Sequence, residues 1–194
     1  MAYDSEGRLV EFRKFPTLKT RRLLLRRMTM DDDEFYLKHF SDPTIVQLSA
    51  YEAPADIEAA RQELRDYCVD IFTRNEGIRW GVCLREDLEL IGTCGFYKWV
   101  KHARHAEIGY DLAPEFRRKG IMKEALTAVL DYLFQMVRLK RVQALMDPAN
   151  IASINLVKSL GFKKEGILRE NTYFRGRFID DIVYSILASE WKLR

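Results

Sequence analysis

Residues 105–125 read HAEIGYDLAPEFRRKGIMKEA, and this stretch decides the fold. Its first eight residues alternate in polarity like a half-buried β-strand, with one face formed by Ala106, Ile108, Tyr110 and Leu112 and the other by His105, Glu107, Gly109 and Asp111. Pro114 ends the strand, and residues 119–136 carry apolar side chains at helical spacing. The stretch therefore predicts a strand, a glycine-containing turn and an amphipathic helix in direct succession.

The chain on either side of this unit shows the same two periodicities. Further strands are predicted at 21–28, 79–85, 89–98, 141–146, 162–173 and 177–188, and further helices at 31–40, 55–74 and 150–159. Because a helix joins the strand at 105–112 to the next strand, at least one pair of strands is expected to be parallel. We expect one α/β (α+β) domain at residues 20–194, with about seven strands and about four helices, after an N-terminal arm at residues 1–19.

Composition limits the classes of function. The 194 residues are 47% apolar, enough for one domain to bury a core without disulfides or a metal ion. Three cysteines without a C-x-x-C pair and only three histidines argue against a zinc site. The net charge of +3 is too balanced for nucleic acid to be expected as a direct substrate. The sequence has the pattern of neither a membrane span nor a signal peptide, so no membrane partner is expected and the cytoplasm is the expected location.

The turn at residues 114–125 has the features of an anion site at a helix N-terminus. Gly120 lies at the turn into the predicted helix, and Ile121 and Met122 follow it. Three cations precede it: Arg117, Arg118 and Lys119. Main-chain N–H groups at a helix start are unpaired, and a glycine lets successive amides converge on phosphate oxygens. Arginine adds forked donors that match phosphate. The alternative is a solvated basic turn. The position of these residues between an alternating strand and a strong helix favours the anion site.

At this point the sequence resembles the GNAT acetyltransferases, whose R/Q-x-x-G-x-G/A turn holds the pyrophosphate of coenzyme A. Residues 150–166, NIASINLVKSLGFKKEG, resemble the next motif in the form of the ribosomal-protein alanine acetyltransferase branch (RimJ/RimL-like). Residues 18–32, LKTRRLLLRRMTMDD, resemble the first strand of that branch. The resemblance covers roughly residues 18–190 and implies a GNAT-like domain with a mixed, mostly antiparallel twisted sheet. Met122 departs from the pattern, which usually has Gly or Ala there.

The resemblance implies an acetyl-CoA-dependent N-acetyltransferase that needs no metal ion. It assigns Glu107 as the general base and Ser153 as a group that hydrogen-bonds the departing sulfur. Coenzyme A binding is assigned to Ile108, Gly109, Tyr110, Leu112, Arg117, Arg118, Lys119, Gly120, Ile121, Met122 and Asn150. From the residues alone, Glu107 could equally be a solvent-facing strand residue, and Asn150 and Ser153 could be helix caps.

The acceptor is left open between a protein N-terminus, such as that of a ribosomal protein, and a small-molecule amine. Whether the protein forms a homodimer is also left open. Glu52 and Asp56 would attract a cationic amine, whereas an acidic partner would suit Lys98, Lys101, Arg104, Arg169, Arg175 and Arg177. Two alternatives come from other classes. One is a coenzyme-binding sensor without catalysis, and the other is an RNA-associated protein that uses the basic clusters at 21–27 and 175–177.

Overall fold

The computed structural model describes residues 2–3, 9–10, 14–47 and 51–192. The rest of the predicted arm and the last two residues lie outside this part. The strands are β1 (Ala2–Tyr3), β2 (Leu9–Val10), β3 (Leu18–Lys19), β4 (Leu23–Arg27), β5 (Ile78–Leu84), β6 (Leu90–Val100), β7 (His105–Leu112), β8 (Arg141–Met146), β9 (Lys163–Phe174) and β10 (Arg177–Leu187). β1 pairs with β2, and the others form one sheet in the order β3-β4-β5-β6-β7-β8-β10-β9.

The helices are α1 (Asp33–Phe40), α2 (Pro43–Val46), α3 (Ile57–Leu64), α4 (Asp70–Thr73), α5 (Ile121–Gln135) and α6 (Ile151–Leu160). A π-helical segment, Arg65–Val69, joins α3 to α4, so the helix expected at 55–74 forms with an irregular middle. Short 3₁₀ turns lie at Met30–Asp32 and Pro114–Phe116. No helix within the described ranges is long and apolar enough to cross a membrane.

The fold class is confirmed, and two counts need correction. The main sheet has eight strands where about seven were expected, because Leu18–Lys19 pairs with residues 24–25 of β4. A two-residue strand is too short to show alternation in a sequence. The domain boundary between residues 19 and 20 stays a prediction.

The second correction is to the number of helices. α2 was not among the four predicted helices, and it starts shortly after the end of α1. The Asp42 carboxylate accepts a hydrogen bond from the Thr44 backbone N–H at 2.8 Å, and Pro43 occupies the first turn, where its missing N–H costs nothing.

The alternating pattern of β7 sorts its side chains between two faces of the sheet. Ala106, Ile108 and Leu112 enter the larger core with the inward face of α5. Glu107, Gly109 and Asp111 turn to the opposite face, where α1 reaches the sheet and a second, smaller core lies beneath α1 and α3. Helices therefore cover both faces of the central strands.

One feature of the sheet positions the site. β7 and β8 are its only parallel neighbours within the described ranges, and their pairing runs from His105–Arg141 to Glu107–Gln143 and stops there. β7 continues beside β6 to residue 112, and β8 continues beside β10 to residue 146. The two strands thus part in the middle of the sheet and leave an opening at their carboxyl ends.

Candidate active site

The opening between β7 and β8 leads into a cleft of about 2100 Å³. This volume exceeds the range of about 300–1,000 Å³ that is typical of a pocket for one small ligand. Every residue predicted for catalysis or coenzyme A binding lines the cleft except Lys119. The cleft is therefore large enough for two reactants, and the residues predicted for catalysis and coenzyme A binding are brought together along one part of its wall.

The turn at the start of α5 has the conformation that its glycine was expected to provide. Gly120 adopts φ 73° and ψ 8°, in the left-handed region that favours glycine. The Arg22 guanidinium donates to the Lys119 carbonyl at 3.0 Å. The first-turn residue Glu124 accepts bonds from the Thr20 hydroxyl at 2.6 Å and from the Arg22 guanidinium at 2.7 Å. These contacts anchor the turn to the N-terminal strands.

The contacts of Glu124 were not predicted from the sequence. Burial favours its neutral form, but the hydrogen bonds from Thr20 and Arg22 outweigh burial and lower the pKa of the Glu124 carboxyl. The carboxylate is directed at the N-terminal strands, and no local sequence pattern indicates a contact between residues 102 positions apart.

The three cations before Gly120 have different surroundings. The Arg117 Nε donates to the Leu112 carbonyl at 2.9 Å, which fixes this side chain at the end of β7. Arg118 has a positive φ of 62° and lines the cleft. The Lys119 ammonium lies over the Phe116 ring at 5.6 Å, outside the cleft lining. Two of the three predicted cations therefore face the cleft.

Met122, the departure from the family pattern, is 7% exposed and belongs to the larger core. The side chain packs beneath the turn, where a methionine is accommodated by the core.

Glu107 lies at the point where β7 and β8 separate. Its side chain is 5% exposed, so it is not a solvent-facing residue. Oε1 accepts a bond from the Lys98 ammonium at 3.2 Å, and Oε2 accepts one from the Gln143 amide at 3.3 Å. Tyr97 lies opposite on β6; burial, and then the nearby Glu107 carboxylate, raise the pKa of its hydroxyl. A carboxylate held in this way can accept a proton from a group in the cleft.

Ser153 and Tyr110 meet across the cleft from opposite sides. Their hydroxyl oxygens are 2.5 Å apart. Burial raises the pKa of Tyr110 to about 12, although the bond to Ser153 acts in the other direction. The Asn150 side chain accepts a bond from the Ser153 backbone N–H at 3.0 Å and so caps α6. The capping role therefore belongs to Asn150, and the Ser153 hydroxyl contacts Tyr110.

A buried ionic cluster lies on the face of β7 that carries Glu107 and Asp111, and it was not predicted from the sequence. The Asp111 carboxylate pairs with the Arg79 guanidinium and accepts bonds from His39 Nε2 at 2.7 Å and the Thr93 hydroxyl at 2.7 Å. Burial alone would raise the pKa of Asp111, but Arg79 and His39 outweigh it and lower the pKa. The cluster joins α1, β5, β6 and β7 beneath the cleft.

The far wall of the cleft carries another buried carboxylate. Asp181 on β10 is 7% exposed and lines the cleft. Its Oδ2 accepts bonds from the Asn171 amide at 2.7 Å and the Thr172 hydroxyl at 2.6 Å. The two acids expected to attract an amine are elsewhere: Asp56 caps α3, and neither Glu52 nor Asp56 lines the cleft.

Among the described residues, no group of three His, Cys, Asp or Glu side chains is placed to hold a metal ion. The cysteines 68, 83 and 94 are buried and unpaired with one another.

The comparison with protein families decides the identity of this fold. The family described as "Acetyltransferase (GNAT) domain" matches residues 22–163. The chain belongs to the GNAT acetyltransferase family. It is similar to the uncharacterized N-acetyltransferase YoaA of Bacillus subtilis, with 38% identity over 89% of this chain and 97% of that protein.

Two other relatives illustrate the range of acceptors among similar GNAT proteins. The [ribosomal protein uS5]-alanine N-acetyltransferase of Escherichia coli is 31% identical over 55% of either chain, consistent with the RimJ-like branch. A spermidine N-acetyltransferase from Vibrio cholerae, solved in complex with CoA and spermine, shares the fold, with a TM-score of 0.77, 24% identity, and coverage of 88% of this chain and 98% of that one. The protein is an acetyl-CoA-dependent N-acetyltransferase, and acetyl-CoA is its co-substrate.

Features of this GNAT structure fit the co-substrate. α5 is a 15-residue helix that starts at a left-handed glycine, so its first-turn amides have no partner within the helix. Beyond Glu107, β7 no longer pairs with β8, and this part of the strand faces the cleft. A diphosphate and an extended amide-bearing chain, both present in coenzyme A, match these two surfaces.

Proposed function

We propose that this GNAT protein moves an acetyl group from acetyl-CoA directly to a primary amine, with Glu107 as the general base. The observation that carries the proposal is the location of the Glu107 carboxylate. It is buried at the point where β7 and β8 separate, and it faces a cleft large enough for both reactants.

The amine needs a base because it is an ammonium ion at neutral pH. The pKa is about 8 at a chain terminus and about 10 on a lysine side chain. Glu107 accepts the ammonium proton, directly or through a water molecule, and the freed nitrogen forms a bond to the acetyl carbon. Gln143 and Lys98 hold both carboxylate oxygens and so fix the side chain.

The carbon–sulfur bond breaks as the carbon–nitrogen bond forms, and the sulfur needs a hydrogen-bond donor. The Tyr110–Ser153 hydroxyl pair supplies it. The tyrosine is protonated at neutral pH, and burial raises its pKa further, so the pair retains a proton for a hydrogen bond to the sulfur. An N–H near Gly109 or Tyr110 faces the thioester oxygen in this arrangement and stabilises the charge that develops there.

The remaining assignments concern the body of coenzyme A. The amides from Gly120 to Met122 and the side chains of Arg117 and Arg118 bind the diphosphate, with Lys119 outside the cleft adding only long-range charge. The main chain from Ile108 to Leu112 binds the pantetheine arm as an added strand. Asn150 contacts the same arm near the start of α6.

The acceptor is either a protein N-terminus or a small amine. The similarity to the uS5-alanine enzyme supports the first and the shared fold with the spermidine enzyme the second. The basic cluster at 21–27 is engaged within the protein, which counts against an RNA-binding role. Arg22 pairs with Glu124, Arg26 with Asp32, and Arg27 lies over the Phe15 and Phe72 rings.

A screen of amines with acetyl-CoA tests the proposal, with thiol release as the readout and the product identified by mass. The panel contains peptides with small N-terminal residues, polyamines and amino acids. We expect thiol release that depends on both the enzyme and an amine. Coenzyme A binding without release on any amine would instead support a non-catalytic sensor.

A further inference from the structure

We infer that Asp181, Asn171 and Thr172 form a subsite for a second positive charge on the acceptor, separate from the amine that is acetylated. The inference rests on the proposed function and names the class of substrate: an amine that carries another cationic group. It starts from a buried carboxylate for which the mechanism above has no use.

Asp181 differs from the other buried carboxylates in its partners. Each of the others pairs with a cation: Asp33 with Arg61, Glu107 with Lys98, and Asp111 with Arg79. Asp181 forms no ion pair with any described residue, although its side chain is equally buried. A buried carboxylate without a counter-charge is costly, so a cation supplied by a ligand would relieve that cost.

The hydrogen bonds of Asp181 leave one oxygen for such a ligand. Asn171 and Thr172 both donate to Oδ2, whereas Oδ1 accepts no bond from the described residues. Oδ1 is also not sealed inside the protein: among the described residues the one buried polar side-chain atom without a partner is His105 Nδ1. Because Asp181 lines the cleft, its free oxygen is available there.

The neighbours favour a cation over any other ligand. Asn171 donates one amide N–H and Thr172 its hydroxyl proton to Asp181, and both keep acceptors for the cleft, an amide oxygen and hydroxyl lone pairs. Together with Oδ1, these groups are acceptors. An ammonium or guanidinium group, which has only donors, matches such a site.

The position of the subsite defines how far apart the two charges on the acceptor lie. β8 separates β7 from β10, and Gln143 is the register partner of both Glu107 and Ser185. Asp181 is four residues from Ser185, toward the open end of the cleft. On a flat sheet this is roughly 10 Å across and 13 Å along the strands. We expect a long diamine or a peptide with a basic side chain to span this separation better than a short diamine.

Matched acceptors test the inference with the whole enzyme. We would compare 1,8-diaminooctane with 8-amino-1-octanol, which replaces one ammonium group by a hydroxyl, and with the short 1,3-diaminopropane. In the wild type we expect kcat/KM for the long diamine to exceed that for the amino alcohol by about tenfold or more, as for a charge-assisted hydrogen bond. 1,3-diaminopropane should show no such gain. A ratio near the statistical factor of about two, from two equivalent amines, would overturn the inference.

Variants then link the preference to the residue. Asp181→Asn should reduce the ratio to about two and leave the affinity for coenzyme A, measured by calorimetry, unchanged. Asp180→Asn is the matched control, because Asp180 accepts a bond from the Glu170 backbone N–H at 2.8 Å and does not line the cleft. It should keep the wild-type ratio. A preference that persists in Asp181→Asn would contradict the assignment, and no thiol release with any amine would instead count against the proposed function.

A peptide pair distinguishes the two sources of such a cation. Ala-Gly-Gly-Lys and Ala-Gly-Gly-norleucine share an N-terminal amine and differ in one positive charge. A gain in this pair that is lost in Asp181→Asn supports the subsite with a protein N-terminus as the acceptor. A gain in the diamine pair supports it with a small amine. Equal rates within both pairs reject the subsite.

Discussion

The hydroxyl oxygens of Tyr110 and Ser153, 43 residues apart in the chain, lie 2.5 Å from each other. Tyr110 belongs to β7 and Ser153 to the first turn of α6, so the bond connects the two walls of the cleft beyond the point where the strands have parted. In the proposed mechanism this pair supplies the hydrogen bond that the departing sulfur needs.

Removing either hydroxyl should slow turnover with little effect on coenzyme A binding. We expect Ser153→Ala to lower kcat by about a hundredfold, within the range for a positioned proton donor. Tyr110→Phe should lower it by about tenfold, since the serine remains. Because the two act as one unit, the double variant should be no slower than Ser153→Ala by more than about threefold. Steady-state kinetics with one amine measures these values of kcat. If the loss in the double variant equals the product of the two single losses, the two hydroxyls act independently and the account of a single unit is wrong.

Gly120→Ala should weaken coenzyme A binding because alanine disfavours the left-handed conformation by roughly 1–2 kcal/mol. An added Cβ has room there, with the nearest atom, Arg22 Nη2, 3.6 Å away, so backbone strain is the main effect. We expect a loss of affinity of about tenfold by calorimetry. Gly176→Ala is the control: Gly176 has φ 78°, has nothing within 4 Å of an added Cβ and does not line the cleft. Gly176→Ala should lose a similar amount of stability and keep the wild-type affinity for coenzyme A. Equal losses of affinity in the two variants would show that the Gly120 turn does not bind the diphosphate.

Asp111→Asn should destabilise the fold by about 3–5 kcal/mol, because it leaves the Arg79 guanidinium buried without its counter-charge. Urea unfolding at pH 7 measures the difference. The lowered pKa of Asp111 means that its contribution is complete above the unfolded value of about 3.9 and is lost as the pH falls through the lower, folded value. The gap between wild type and variant should therefore narrow as the pH falls below about 4. A gap that widened on acidification would contradict this account.

The sequence predicted the parts of the site that depend on local chain geometry. The alternation at 105–112 and the glycine turn before α5 are set within a few residues, and both formed as expected. The resemblance then located Ser153 at the start of α6. The strand and the turn follow from periodicity and glycine chemistry, which a single sequence displays directly, whereas Ser153 came from the resemblance alone.

The sequence could not predict contacts between distant segments. Glu124 with Arg22, Asp111 with His39 and Arg79, and Tyr110 with Ser153 are each set by how strands and helices pack. Glu107 shows the same limit, since its hydrogen-bond partners, Lys98 and Gln143, come from neighbouring strands. Charged residues at these positions look like ordinary surface residues until the sheet order is known.

The pH dependence of Glu107→Gln tests the central claim most directly, namely that this carboxylate removes the proton from the amine. We predict that kcat/KM falls by about 10²–10⁴-fold at pH 7. The deficit should shrink as the pH rises toward the pKa of the amine, because free amine then forms without a base. A near-normal rate at pH 7, with the same profile as the wild type, would contradict the account.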